Sequence, residues 1–509
     1  MRVLGLSQGR LYGLLAAVTA GLCAFMPVFS QEAYYWTYAQ HPDLSYFDHP
    51  PMVAWLIWLG GTVFGDGAIG IRFGTWLCGL GTTWFGMLLL RDFAVDDRGQ
   101  RLWILLGLAS PVLLMTHFLA NPDPPLVCFW TLTMLALWRA RSGSLRWWLV
   151  AGVAAGAALL SKYSGAFLAV GGGVGLLADP ALRRQLRRPG PYLGVAVAAI
   201  VFLPVVVWNA MHDFESFRFQ TSHRLERAEL GGRWLAEFAL GQFGVLHPAL
   251  MLLLVPTLWW LAQRWRRDTR AVWLLAFGLP LPLYLLANSL WIQVKINWVA
   301  PAYVPLLLAV VVAWRESGFV VRYPRLHRLA ASSLWIAIAG IPLAPAIRLM
   351  PAGRGSSCVG WEQVADRAEY WEDEIDVVDG VEGNVFFFAA DYKDAAQLGR
   401  SLAMLWESEG EHEVVTGVLD SGEVTMAQNV MSRPALQYDH WTQPSSRGGQ
   451  DAIFVLPRPQ DRVEIVDEVR SCFDHIDRKE RVSVRQLGIH VMDVDIFVCQ
   501  GYLGPRRHG

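Results

Sequence analysis

The chain has 509 residues, 54% of them hydrophobic and 24 of them tryptophan, while its formal net charge is only −1. With a positive mean hydropathy, this composition excludes an ordinary soluble globular protein and makes a bilayer the main solvent. No lysine- and arginine-rich stripe joins a nucleic-acid motif, so DNA and RNA are excluded as partners.

The charge is unevenly laid out. Residues 1–347 carry 27 basic and 16 acidic side chains, whereas residues 348–509 carry 16 and 28, and the long apolar runs stop at the same point. The sequence therefore divides into a transmembrane domain, 1–347, and a soluble acidic domain, 348–509. Cys23, Cys78 and Cys128 lie in apolar segments. Cys358, Cys472 and Cys499 lie in the tail, where one disulfide is allowed with one thiol left over.

A bilayer core of roughly 30 Å takes about 20 apolar helical residues. On that criterion the sequence predicts about eleven spans, near 12–29, 68–90, 102–119, 124–140, 147–161, 164–178, 192–211, 238–262, 270–287, 297–314 and 328–347. The first is read as a retained helix, because its apolar run is long for a signal peptide and no small-x-small site precedes Gln31. Connections 1–11, 91–101, 139–146, 179–191, 263–270 and 315–328 hold 20 lysines and arginines; the alternate connections hold six. Short basic loops stay in the cytoplasm, so the amino terminus is expected inside and the tail outside. A single helix through Lys162 would invert every later loop, so the chain is expected to break there. After the last span, apolar runs at 385–390 and 452–456 and a polar helical pattern at 393–409 predict a small α/β domain.

The unusual polar residues fall on the expected outer face. The first outer loop, 30–67, contains no lysine or arginine. It opens with Gln31-Glu32-Ala33-Tyr34-Tyr35-Trp36 and turns back through Tyr46-Phe47-Asp48-His49-Pro50-Pro51. Taken alone, Tyr34, Tyr35, Trp36 and Tyr38 read as an interfacial aromatic belt on a helix lying in the headgroup region. That does not explain Glu32 and Asp48, which are costly beside lipid unless they face a wet cavity or a partner. Asn121-Pro122-Asp123-Pro124-Pro125 places a carboxylate at a helix start, where capping and catalysis compete as explanations. Lys162 and Lys295 sit at outer helix ends, where snorkelling would account for them. They, and Arg224 beside His223, are also the side chains that would hold a phosphate. Asp48, His49 and His223 could ligate a divalent ion, although their spacing is not diagnostic.

Acidic-type EAYYW and YFDHPPM at 46–52 resemble motifs of the family 39 type of polyprenyl-phosphate-sugar-dependent glycosyltransferases, related to protein mannosyltransferases and the lipid A aminoarabinose transferase. So do Asp123 with Phe129-Trp130, LLSKYSG at 159–165 and KINWVAPAY at 295–303. In the tail, Asp391-Tyr392-Lys393 with Gln397, and Gln437-Tyr438-Asp439 with Trp441, are similar to the soluble domain of bacterial members. The resemblance implies a polytopic α-helical membrane protein of the C-type glycosyltransferase (GT-C) fold with a C-terminal α/β domain. It implies a sugar donor on a polyprenyl phosphate such as undecaprenyl phosphate, and a lipid, glycan or protein acceptor at the outer face of the cytoplasmic membrane. A loop carboxylate would deprotonate the acceptor, which attacks with inversion while cations stabilise the departing phosphate. The implied catalytic residues are Glu32, Asp123 and Asp48. His49, Lys162, Arg224, Lys295, Asn297 and Tyr35 are the implied contacts to lipid phosphate and sugar; Asp48 with His223 is the metal pair that donor chemistry alone suggests. One position departs from the pattern: the acid that usually begins the first loop is Gln31 here, which cannot take a proton. A lipid-linked-sugar flippase and a non-catalytic member of the fold are the alternatives.

Overall fold

The computed structural model describes residues 6–225, 230–350, 358–379, 385–409, 424–441 and 443–504, without the side chains of 222–225, 376–379 and 409. The chain forms two compact units. The first comprises Met1–Ala24, Asp43–Leu56 and Arg72–Leu343; the second comprises Phe25–Pro42, Ile57–Ile71 and Ala344–Gly509. The carboxy-terminal limit falls close to the change in charge. The stretches 25–42 and 57–71, much of the first outer loop, pack with the tail rather than with the remaining spans, which the linear division at 347 does not anticipate.

The first unit is a bundle of apolar helices. Ala68–Asp92, Gly190–Met211, Thr269–Asn288, Ile296–Glu316 and Pro324–Leu349 are each long and apolar enough to cross a membrane, and shorter apolar helices include Leu145–Ser161 and Tyr163–Ala178. The chain is thus a multi-pass membrane protein. Ile296–Glu316 is its central element, 83% buried, whereas Pro324–Leu349 is 6% buried. Lys162 is extended (φ −164°, ψ 142°) and separates the helix Leu145–Ser161 from the turn Tyr163–Ala166, as the loop charges require.

Expected spans are interrupted where a proline follows. The apolar stretch 238–262 forms Gly232–Leu246 and Pro248–Ala262, bent by 103°. His247 sits at the corner with φ 100°, and Pro248, lacking an N–H, cannot extend the preceding helix. The stretch 102–119 is split the same way: one helix ends at Ala109 and another begins at Pro111.

In the second unit the tail folds around a five-stranded mixed sheet: β1 (Val385–Ala389), β2 (Val424–Met426), β3 (Asp451–Pro457), β4 (Phe473–Gln486) and β5 (Ile489–Tyr502), in the order β2-β1-β3-β5-β4. β1 is parallel to β2 and β3, and β5 is antiparallel to β3 and β4. Both faces of β1 are buried, which explains its continuous apolar run instead of an alternating one. Phe388 stacks on Phe454 at 4.6 Å and packs on Phe473 at 5.9 Å. The β4–β5 hairpin turns through Leu487 and Gly488, both at positive φ (50° and 81°), the region that glycine enters without strain. Cys472 and Cys499 are buried free thiols and form no disulfide with each other.

Candidate functional site

Asp123 is the first residue of the helix Asp123–Ala140, with prolines filling the first turn. Its own amide is held by the Asn121 side-chain oxygen at 2.9 Å. The local sequence thus fixes the backbone and leaves the carboxylate for other partners. Lys162 Nζ donates to Oδ1 at 2.7 Å, and Asn297 Nδ2 donates to Oδ2 at 2.5 Å. The side chains of Asp123 and Lys162 are 8% and 13% exposed, so the pair is largely shielded from water but still reachable. A carboxylate at a helix start is also favoured by the helix dipole. Capping does not account for Asp123, because its oxygens are spent on side chains from two other segments.

Those segments bring their own supports. Gln242 reaches the main-chain oxygen of Ile296 at 3.3 Å and accepts from the Tyr303 hydroxyl at 2.7 Å, bracing the turn that carries Asn297. Tyr163, next to Lys162, shares a 2.6 Å hydrogen bond with Ser216, and its ring packs on Phe217 at 5.6 Å. Ser216 and Phe217 lie on the helix Glu215–Leu225, which on further residues holds the YFDHPP turn. Phe219 packs on Phe47 at 4.8 Å, and Gln220 donates to the main-chain oxygen of Asp48 at 2.7 Å. The turn is also closed by Tyr46 N–H to His49 O at 3.2 Å. Upstream, Trp208 Nε1 donates to Asp43 Oδ2 at 2.8 Å. One short helix therefore connects the Lys162 segment to the loop bearing Asp48 and His49, both partly exposed.

Asp43, Trp208, Ser216 and Gln220 had no place in the sequence reading, and Tyr163 entered it only as part of the LLSKYSG motif, without a role of its own. Asp43 is a further acid in the same cation-free loop and could have been flagged on that ground. The others carry no local signal. Lys295 is exposed, and its segment contributes Asn297 to the carboxylate. Arg224 and His223 lie on the same helix as Gln220, but their side chains fall outside the described residues, as therefore does any metal set that includes His223. Among the described residues no three His, Cys, Asp or Glu side chains converge as metal ligands.

Glu32 and Tyr35 belong to the second unit, on the helix Ser30–Gln40. Glu32 is fully buried and accepts the Phe29 amide at 2.9 Å, the backward bond of a capping box. Gln31 accepts from the Tyr392 hydroxyl at 3.4 Å. The aromatic residues do not form a belt at the lipid surface: Tyr34, Tyr35, Trp36 and Tyr38 are all at most 3% exposed. Tyr34 packs edge-on against Tyr392 at 4.8 Å, and Tyr38 against Trp441 at 5.6 Å. Tyr35 touches Tyr34 and Tyr38, each at 5.7 Å. Gln397 caps the approach by donating to Val28 O at 3.0 Å, and Arg400 donates to Asp66 O at 3.0 Å. The tail motifs thus grip the first outer loop. The helix Tyr392–Glu409 is itself started by Asp391, whose Oδ1 takes the amides of Lys393 and Asp394. Burial pushes the Tyr438 phenol well above its ordinary pKa, so it stays protonated and donates to Tyr392 O at 3.4 Å.

Comparison with known proteins agrees with this architecture. Residues 48–208 match the family described as dolichyl-phosphate-mannose-protein mannosyltransferase. The lipid A galacturonosyltransferase RgtD of Rhizobium johnstonii is 31% identical over 339 residues, 64% of this chain and 68% of the relative. The chain belongs to the polyprenyl-phosphate-sugar-dependent glycosyltransferases of family 39 type. Another member, undecaprenyl phosphate-alpha-4-amino-4-deoxy-L-arabinose arabinosyl transferase 1 of Pseudomonas fluorescens, is 29% identical over 317 residues, 55% of this chain and 51% of that one. The crystal structure of ArnT from Cupriavidus metallidurans in the apo state superposes with a TM-score of 0.61 at 16% identity, covering 96% of this chain and 97% of that one. That likeness shows the GT-C fold.

Proposed function

We propose that this glycosyltransferase moves one sugar from undecaprenyl phosphate to a hydroxyl of a lipid A-type glycolipid, at the outer face of the cytoplasmic membrane and with inversion. The observation that carries the reading is the convergence of Asp123, Lys162 and Asn297. The ammonium of Lys162 spends one N–H on Asp123 and keeps two for oxygens of the donor phosphate, a charge-assisted contact that strengthens as the phosphate leaves. Asp123 and Asn297 act as positioning residues for that cation. In the transfer, the acceptor oxygen forms its bond to the anomeric carbon as the bond from that carbon to the phosphate oxygen breaks. The electron pair departs on undecaprenyl phosphate, and the acceptor proton passes to a carboxylate. Asp48 is assigned that role, because it is partly exposed on a turn braced to the Lys162 segment, whereas Glu32 is fully buried and bonded to a helix end. The donor follows the family and the name of the arabinosyl relative; the acceptor follows the name of the galacturonosyl relative. The outer face follows the asymmetry of basic loops.

The test is release of undecaprenyl phosphate from a panel of undecaprenyl-phosphate sugars by reconstituted protein, with and without lipid A. Acceptor-dependent release that is lost in Asp48→Asn and retained in Glu32→Gln is the expected result. Glutamine still accepts the Phe29 amide, so loss of transfer with retained folding in Glu32→Gln, and normal transfer in Asp48→Asn, would move the base to Glu32.

A further inference from the structure

The helix Pro324–Gly340 is loosely joined to its unit. Ala330 is its one buried residue, and Leu326, Leu329 and Ile336 are 45%, 69% and 72% exposed. Such a helix faces lipid over most of its circumference. Between it and the helices Asp97–Ala109, Pro248–Ala262 and Ala300–Glu316 lies a cavity of about 680 Å³, within the size range of small-molecule sites.

The cavity has two chemically different ends. Leu106, Leu253, Leu334 and Ile338 make one end apolar, while Arg98, Arg315 and His327 lie at the other. Asp96 holds Arg315 in a bidentate pair at 2.8 and 2.6 Å, so that charge is already balanced. Arg98 is exposed and has no ion-pair partner among the described residues. His327 packs edge-on against Trp314 at 4.5 Å, and its Nδ1 is buried without a hydrogen-bond partner among the described residues. Arg322, just before this helix, and Arg325 and Arg328 in its first turns add positive potential. The apolar interior asks for hydrocarbon; the Arg98 guanidinium, which feels the Asp96 carboxylate only at a distance, and the orphaned ring nitrogen ask for an anionic headgroup.

We infer that this slot binds an anionic glycerophospholipid, its acyl chains along Pro324–Gly340 and its phosphate at Arg98 and His327. Basic pockets between membrane helices on the cytoplasmic side are suited to such headgroups, because anionic lipids concentrate there. The loops 91–101 and 315–328 that form the basic end are the ones whose charge assigns them to that side. The lipid would fill the space that side chains leave and fix the last span against the bundle. The inference is independent of the transfer reaction and of the residues assigned to it.

The test uses full-length protein purified in detergent and washed free of lipid, with phosphatidylglycerol and phosphatidylcholine of identical acyl chains as probes. Phosphatidylglycerol is expected to be retained in native mass spectra and to raise the Tm, while phosphatidylcholine does neither. The double variant Arg98→Gln/His327→Gln should lower retention roughly tenfold, the loss of one charge-assisted phosphate contact. Ala331→Trp, which fills the slot from the lipid-facing helix, should abolish retention in protein that still elutes as a monodisperse peak. Equal retention of both lipids, or unchanged retention in the double variant, would overturn the inference.

Discussion

The Asp123 cluster and the helix Ser30–Gln40 both carry an acid that the sequence singles out, yet the two acids are held by opposite means. Asp123 is satisfied by side chains from distant helix ends and remains partly reachable. Glu32 is satisfied in part by its own helix start and is sealed, on an element gripped by the aromatic rings of the tail. Asp123 has a lysine and an amide as partners, the arrangement from which the proposed function starts. Glu32, by contrast, counts a backbone amide of its own helix start among its partners. The comparison teaches that an acid in a motif is not a role; its partners decide the role.

The largest effect expected from breaking this contrast comes from Lys162→Ala. Removing the cation proposed to meet the leaving group should lower kcat/KM about 10²–10³-fold, the scale seen when one donor to a developing oxyanion is deleted. Loss confined to KM would instead assign Lys162 to ground-state binding alone. Tyr438→Ala attacks the other side of the comparison. The ring is 2% exposed against Tyr34 and Trp441, and its loss should cost about 3–5 kcal/mol of stability, read as a lower unfolding midpoint of the tail. If the grip on the first outer loop matters for transfer, activity falls with it; unchanged activity would make the tail dispensable.

Asn297→Ala should have a smaller effect, about tenfold in kcat/KM, because one neutral donor to Asp123 is lost while the lysine remains. Recovery in Asn297→Gln would separate the hydrogen bond from packing. The smallest effect is one of pH. Arg367 hydrogen-bonds to Glu480 and holds its carboxyl below the usual range. A carboxylate with a depressed folded pKa contributes stability above its unfolded value, near 4.3, and loses it as the pH falls through the folded pKa. The pair is solvent-screened, so Glu480→Gln should remove less than about 1 kcal/mol at neutral pH and flatten only the acid limb of the stability profile.

Much of this was legible beforehand. The membrane class, the break at Lys162 and the strands at 385–389 and 451–457 follow from local hydrophobicity, loop charge and short periodic runs. The broken helices at His247 and Ser110 were signalled by Pro248 and Pro111, and were missed because an apolar window averages over a proline. Tyr35 and its neighbours were misplaced for a related reason. An aromatic run looks the same whether lipid or protein covers it.

Sequence alone thus determined the solvent, the charge division and the residues worth watching, because each rests on composition or on neighbours within a few positions. Only tertiary structure decided that Asp123 meets Lys162 and Asn297, 39 and 174 positions away. It also decided that the start of the first outer loop packs with Tyr392 and Trp441 of the tail. Partners of that kind depend on which helix ends and ring faces come together when the chain closes, and no local pattern encodes that choice.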